Sequence, residues 1–278
     1  MSRVSTKRLL SIAGELSERE RRIVRRVAAL RLVSHAQLRT IFAGPTPGAT
    51  PTSTARTVRR RLARLNELGV LGRLSRRIGG VRAGSSGHLY YLGSVGQRLM
   101  AYWDGRGFVR GRHRPEPSER YVRHRLSVSQ IHVDLVAAEQ AGALDLLSVD
   151  AEPDCWRHYV DGFGGQTVLK PDAFVRVGIG AYEDRCFVEV DLGTESRSVV
   201  ARKLKAYLDY FESGHEQADH GVFPRVLLLT DSEARRQALV DLCTRLPAET
   251  WRLFTVQSLD RAVEAITGHA EAVSEGAS

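Results

Sequence analysis

Apolar residues recur at helical spacing from Ile23 through Val27 to Leu30, with Val24 beside them, which predicts a helix over about 18–31. Ser17 followed three residues on by Glu20 is a capping box at its start. Ser34 with Gln37 repeats the signature ahead of a short helix carrying Leu38 and Ile41. Pro45 to Thr52, rich in Pro, Gly and Thr, reads as a loop. A third helix then runs from a cap at Ser53 to about Leu68, with Val58, Leu62 and Leu65 as its buried stripe and Gly69 as its terminating glycine. Two strands follow, Val70–Leu74 and His88–Leu92, joined by a Gly- and Ser-rich basic tip over Gly79–Gly87. Three helices and a hairpin are the order of a winged helix-turn-helix. One more short helix over Val95–Trp103 completes that domain, placed at 1–104, and the Gly-, Arg- and Pro-rich stretch 105–117 reads as a linker.

The second half has a different rhythm. A long helix spans Ser118–Ala141, and strands are expected at Leu146–Val149, Lys170–Ile179 and Arg185–Leu192, the last two joined by a turn at Gly180. A helix over Ser196–Phe211, a strand at Arg225–Leu229, a helix capped by Asp231 and a strand at Trp251–Val256 follow. The order α-β-β-β-α-β-α-β defines a mixed α/β domain over 118–268, with 269–278 expected as a disordered tail. The fold class is therefore multi-domain α/β.

Charge sharpens the division. Residues 1–130 hold 27 Lys and Arg against 7 Asp and Glu, a net of +20, whereas 131–278 hold 14 against 25, a net of −11. A basic front half on an acidic back half points to a polyanion-binding module joined to something else. A solvated surface or a membrane-surface patch would use the same charges. No apolar run is long enough to span a membrane and Met1–Leu10 is too polar for a secretory signal, so the expected location is cytoplasmic and DNA-associated. Cys155, Cys186 and Cys243 are far apart, and read as buried thiols.

With Val58, Leu62 and Leu65 inward, the third helix turns Arg56, Arg60 and Ala63 outward, flanked by Arg59 and Arg64, with Thr57 near the end that meets base edges in such helices. Arginine's planar fork suits guanine edges and phosphates. On the wing, Arg73, Arg76, Arg77 and Arg82 are placed to hold the phosphate backbone or the minor groove. The expected partner is double-stranded DNA, and the same reading allows a homodimer.

In Cys186-Phe187-Val188-Glu189-Val190-Asp191-Leu192, alternation sends Glu189 and Asp191 to one face. A hairpin turning at Gly180-Ala181 sets Asp172 across from them, so that Asp172, Glu189 and Asp191 converge as metal ligands. Such oxygens suit Mg²⁺, which can activate water and stabilise charge on a phosphodiester. Only four lysines occur, Lys7, Lys170, Lys203 and Lys205, and Lys203 on the following helix is the candidate to balance that charge. Turn chemistry at Pro171-Asp172 and a solvated face for Lys203 and Lys205 are the plainer alternatives. His124 and His132 lack carboxylates at ligand spacing, and Gly162-Phe163-Gly164-Gly165 has no following Gly-Lys-Ser/Thr, so neither a histidine metal site nor a P-loop is indicated.

Pro171-Asp172 followed by Glu189-Val190-Asp191 in this element order resembles the PD-(D/E)XK nuclease fold, over about 118–230. The resemblance implies a restriction-endonuclease-like core with Asp172 and Glu189 on Mg²⁺ and a lysine assisting the attacking water. Asp191 stands where that lysine is expected, and Lys203 would replace it. Over roughly 15–260 the chain is similar to the replication-relaxation proteins of plasmids and integrative elements. The shared features are Arg59-Arg60-Arg61-Leu62-Ala63-Arg64-Leu65, Tyr90-Tyr91-Leu92, and Glu189-Val190-Asp191-Leu192-Gly193-Thr194-Glu195-Ser196 followed by Lys203 and Tyr207. The resemblance implies work in replication or processing of a mobile element, alongside other replication or transfer proteins. Three functions stay open: a Mg²⁺-dependent nuclease or nickase, a non-cleaving regulator or replication accessory with a degenerate nuclease fold, and a repressor with a ligand-sensing domain.

Overall fold

The computed structural model describes residues 4–42, 51–74, 87–107, 109, 111, 116–162 and 164–275, the last seven by backbone alone. The chain is mixed α/β and divides into two compact units, 1–133 and 134–278.

The first unit opens on a helix additional to the expected elements, α1 (Thr6–Glu15), capped by Ser5 and burying Leu9, Ile12 and Ala13. Those positions, with Leu16, are a helical stripe in plain view. The helices α2 (Glu18–Leu30) and α3 (His35–Phe42) start on the expected capping boxes. Ser17 and Glu20 exchange backbone bonds, as do Ser34 and Gln37. Between them a two-residue strand β1 (Val33–Ser34) joins the sheet. Helix α4 (Pro51–Glu67) begins two residues ahead of the expected serine cap, with Pro51 in its first turn, where a missing N–H costs nothing. Gly69 ends it at φ +68°, a conformation that favours glycine. Strands β2 (Leu71–Arg73) and β3 (Leu89–Leu92) pair antiparallel in the sheet order β1-β3-β2. The expected tip over 79–86 lies outside the described residues. Helix α5 (Ser94–Trp103) packs Val95 and Leu99 into a core built on Leu9, Ile23, Val27, Leu38, Leu62 and Leu65.

The division between units falls within the long helix α6 (Glu119–Gln140), not in the stretch 105–117. Its first half closes the end of α2. Arg31 there adopts a φ of +63°, and the Leu32 backbone N–H turns back to donate to Leu30 O at 2.7 Å. Arg125 donates to Leu30 O at 3.4 Å and Ser129 to Leu32 O at 2.8 Å, both side chains being almost fully buried. Gln37 reaches Leu126 O at 2.9 Å.

In the second unit a five-stranded sheet has the order β10-β9-β8-β7-β4. It is formed by β4 (Asp145–Ala151), β7 (Ala173–Ile179), β8 (Tyr182–Val190), β9 (Arg225–Thr230) and β10 (Phe254–Ser258). The first two pairings are antiparallel, and β8-β9 and β9-β10 are parallel. Ahead of β7 sits a hairpin absent from the expected order, β5 (Arg157–Val160) and β6 (Gln166–Leu169), with Gly162, Gly164 and Gly165 between its strands. Helix α7 (Arg197–Ser213) is capped by Ser196 and leads into the short α8 (His215–His220). Ser232, not Asp231, caps α9 (Glu233–Cys243), and α10 (Ala262–Glu275) closes the described chain. The core on the α7 side of the sheet combines Phe174, Phe187, Val200, Leu204, Tyr207 and Leu239. The three cysteines are buried and free, as expected. Among the described residues no helix is long and apolar enough to cross a membrane.

Candidate functional site

Two groups of residues carry chemistry, one in each unit. In the first, α4 buries Val58, Leu62 and Leu65 to within 1% and leaves Arg56, Arg59, Arg60 and Ala63 exposed. The exposed arginines follow from the stripe, because side chains three and four apart share a face. Thr57 is half-buried and its hydroxyl donates to Ser53 O at 2.9 Å. Arg64 is engaged within the protein, 2.6 Å from the buried Glu20 carboxylate, which ties α4 to the cap of α2. Arg73 is exposed at the end of β2. Arg76, Arg77 and Arg82 lie outside the described residues.

In the second unit the hairpin between β7 and β8 turns at Gly180, and the register pairs Ala173 with Val188. One step further along this register brings Asp172 opposite Glu189. The Asp172 backbone N–H donates to Val188 O at 3.1 Å, and its carboxylate accepts from Val190 N–H at 2.8 Å. Asp172 and Glu189 are 6% and 5% exposed. Burial, and then the neighbouring Asp172 charge, push the Glu189 carboxyl above the ordinary carboxylate range. Glu189 points to α7, as does Phe187 two residues before it on the same face of β8. Tyr207 donates to Oε1 of Glu189 at 2.7 Å and Lys203 to Oε2 at 3.1 Å. Lys203 also reaches Glu195 at 3.1 Å. Burial works against its ammonium, but Glu189, Asp172 and Glu195 outweigh it and raise the pKa, so Lys203 is a fixed positive charge.

Asp191 is placed apart. Strand β8 ends at Val190, and Asp191 folds into a turn in which its Oδ1 accepts from Gly193 N–H at 2.7 Å. Its Oδ2 is held by Arg235 of α9 at 2.6 Å, and Arg235 also donates to Glu195 O at 2.8 Å. The structure therefore brings Asp172, Glu189 and Lys203 together and gives Asp191 its own cation. Lys205 is exposed and pairs with Asp209 along the helix.

The donor set sets limits on any metal. Among the described residues no group of three or more His, Cys, Asp or Glu side chains is arranged to hold one. Asp172 and Glu189 offer two hard-oxygen ligands, which suits Mg²⁺ with its remaining positions on water and phosphate, not an all-protein cage. Glu189 holds its proton more tightly mainly because it is buried and, second, because the Asp172 charge lies beside it.

Tyr207, Glu195 and Arg235 were not among the expected site residues. Tyr207 had a signal: it lies four residues after Lys203, on the same helix face. Arg235 had none, because it comes from an element 44 residues away that only the sheet order brings to Asp191.

The replication-relaxation family model matches residues 4–226, and the chain belongs to that family. Neither the curated proteins nor the solved structures yield a match.

Proposed function

We propose that this protein binds double-stranded DNA through its first unit and acts in replication or processing of a mobile element. In this reading the second unit is a PD-(D/E)XK-like nuclease centre built on Asp172, Glu189 and Lys203. The family supports the replication setting. The buried Asp172–Glu189 pair facing the Lys203 ammonium carries the enzymatic part, since burying two like charges side by side is costly unless they have work to do. In the first unit, the helix-helix-helix-hairpin order and the exposed Arg56, Arg59 and Arg60 on α4 support a winged helix with α4 on the DNA.

Mg²⁺ held by Asp172 and Glu189 would supply the activation of water and the stabilisation of charge developing on a phosphodiester. The chain's own residues set the stage. Tyr207 and Lys203 fix the orientation of the Glu189 carboxylate from opposite oxygens. Lys203, half-buried and positively charged, neutralises part of the site's negative charge and is placed to stabilise a phosphoryl oxygen. Arg235 holds Asp191 out of the pair.

One observation favours a second reading, a non-cleaving replication accessory. The carboxylates are already answered from within: Glu189 by Lys203 and Tyr207, Asp191 by Arg235. The deciding experiment is Mg²⁺- or Mn²⁺-dependent cleavage of supercoiled and linear DNA by wild type, Asp172→Ala and Glu189→Ala. Cleavage by wild type that both variants lose while still binding DNA establishes the nuclease. No cleavage by wild type on DNA that it demonstrably binds selects the accessory.

A further inference from the structure

A concavity in the first unit opens beside the outward arginine face of α4 and shares Arg59 with it. It is a cavity of about 520 Å³ between α4, the start of α3 and the base of the β2-β3 hairpin. Arg59, Ala63 and Glu67, four residues apart, form its α4 wall, and the alanine leaves the middle of that wall low. Opposite stand His35, the first residue of α3, and His88, just before β3. The two are clamped together, because the His35 backbone N–H donates to His88 O at 2.8 Å. Arg73, paired in register with Tyr90, brings a guanidinium nitrogen to 3.3 Å from the His88 ring nitrogen. Tyr90 lies between the histidines, with its ring 6.3 Å from that of His35 and 6.4 Å from that of His88.

We propose that this cavity is a phosphate-binding subsite, occupied by a backbone phosphate when the protein is on DNA. The proposal rests on the DNA-binding reading for its natural occupant. Its chemistry rests on the lining. Two guanidinium groups and two imidazoles converge on one concave surface, against a single acid, the exposed Glu67. Guanidinium groups meet phosphate oxygens in bidentate fashion, and imidazolium adds a donor and a charge. The walls come from α3, α4, β2 and the start of β3, elements whose inner faces share one core.

The charges surrounding His35 predict how occupancy couples to pH. They are Arg39 on its own helix, Arg59 and Glu67 on α4, Arg73 on β2, and His88 beside β3. Burial, then Arg59, Arg39 and His88, hold His35 below the ordinary histidine range. An anion in the cavity reverses the electrostatic part of that effect, so binding takes up a proton and tightens as pH falls.

The test uses the full chain and two probes. Inorganic phosphate is titrated while the ring protons of His35 and His88 are followed by NMR, assigned by their loss in His35→Gln and His88→Gln. DNA binding is then measured against salt for wild type and Arg73→Gln, an exposed position where folding is checked by thermal melting. The expected result is a joint, saturating shift of both histidines, about 10-fold weaker in Arg73→Gln, and a salt slope on DNA lowered by about one in the variant. Histidines that phosphate leaves unmoved, or an unchanged salt slope in a folded Arg73→Gln, overturn the subsite. A wild type that takes phosphate at these histidines but fails to bind DNA at low salt defeats the DNA reading alone and leaves the subsite standing.

Discussion

The two units handle charge in opposite ways. On α4 the arginines at 56, 59 and 60 stand in solvent. In the second unit buried carboxylates have specific partners: Glu189 with Lys203, Asp191 with Arg235, and, away from that site, Glu216 with Arg157 at 3.1 Å. An exposed surplus costs little to keep and is available to a polyanion, since it is screened but not neutralised. A buried charge must be answered within the fold, so its energetics are local and largely independent of salt. The comparison predicts that mutations in the first unit change binding and its salt dependence, whereas mutations in the second change stability and chemistry.

The largest effect should come from separating a buried pair. Arg235→Ala leaves Asp191 buried without its cation and should cost about 3–5 kcal/mol, seen as a lowered melting temperature with unchanged DNA binding at low temperature. A loss under 1 kcal/mol would mean that water reaches Asp191 and that the contrast between the units is overstated. Next, Lys203→Met should lower any Mg²⁺-dependent cleavage by about 100-fold without weakening DNA binding, measured on the same DNA for both. Cleavage that survives intact would assign Lys203 to structure alone. Arg56→Ala and Arg60→Ala should each weaken DNA about 10-fold at low salt and lower the salt slope by about one, with melting unmoved.

A further effect, confined to acid pH, concerns a buried neutral group. His132 on α6 is 1% exposed, and burial pushes its pKa down to about 3. A histidine depressed in the folded state contributes its stability above the unfolded value of 6.5 and loses it as pH falls toward the folded value. Acidification below 6.5 should therefore cost roughly 1.4 kcal/mol per pH unit from this residue. His132→Leu should flatten that slope in denaturant titrations at pH 7, 6 and 5. An equal slope in the variant would place the acid sensitivity elsewhere.

Much of both sites was legible in the sequence because local rules govern them. The stripe Val58, Leu62, Leu65 fixed which arginines of α4 face out, and the Ser17-Glu20 and Ser34-Gln37 boxes fixed where α2 and α3 begin. Period-two alternation and a turn at Gly180 sufficed to set Asp172 against Glu189, since a hairpin's register follows from its turn. Other elements were harder to read. The β5-β6 hairpin has strands of only four residues around a Gly-rich connection, too short for a clear alternation, whereas the stripe of α1 is present in the sequence.

Tertiary structure alone decided three matters. It set Arg235 on Asp191, dividing the three acids into a cross-strand pair and a separate ion pair, because only the parallel β8-β9 pairing brings α9 to that strand end. It gave the front of α6 to the first unit, where Arg125 and Ser129 donate to the Leu30 and Leu32 carbonyls at the end of α2. It gathered His35, Arg59, Arg73 and His88, from three separate segments, around one cavity. The sequence by itself determined which residues each helix and strand turns inward, because that depends on spacing within an element. Which charge answers which depends on elements far apart in the chain, and no local pattern encodes it.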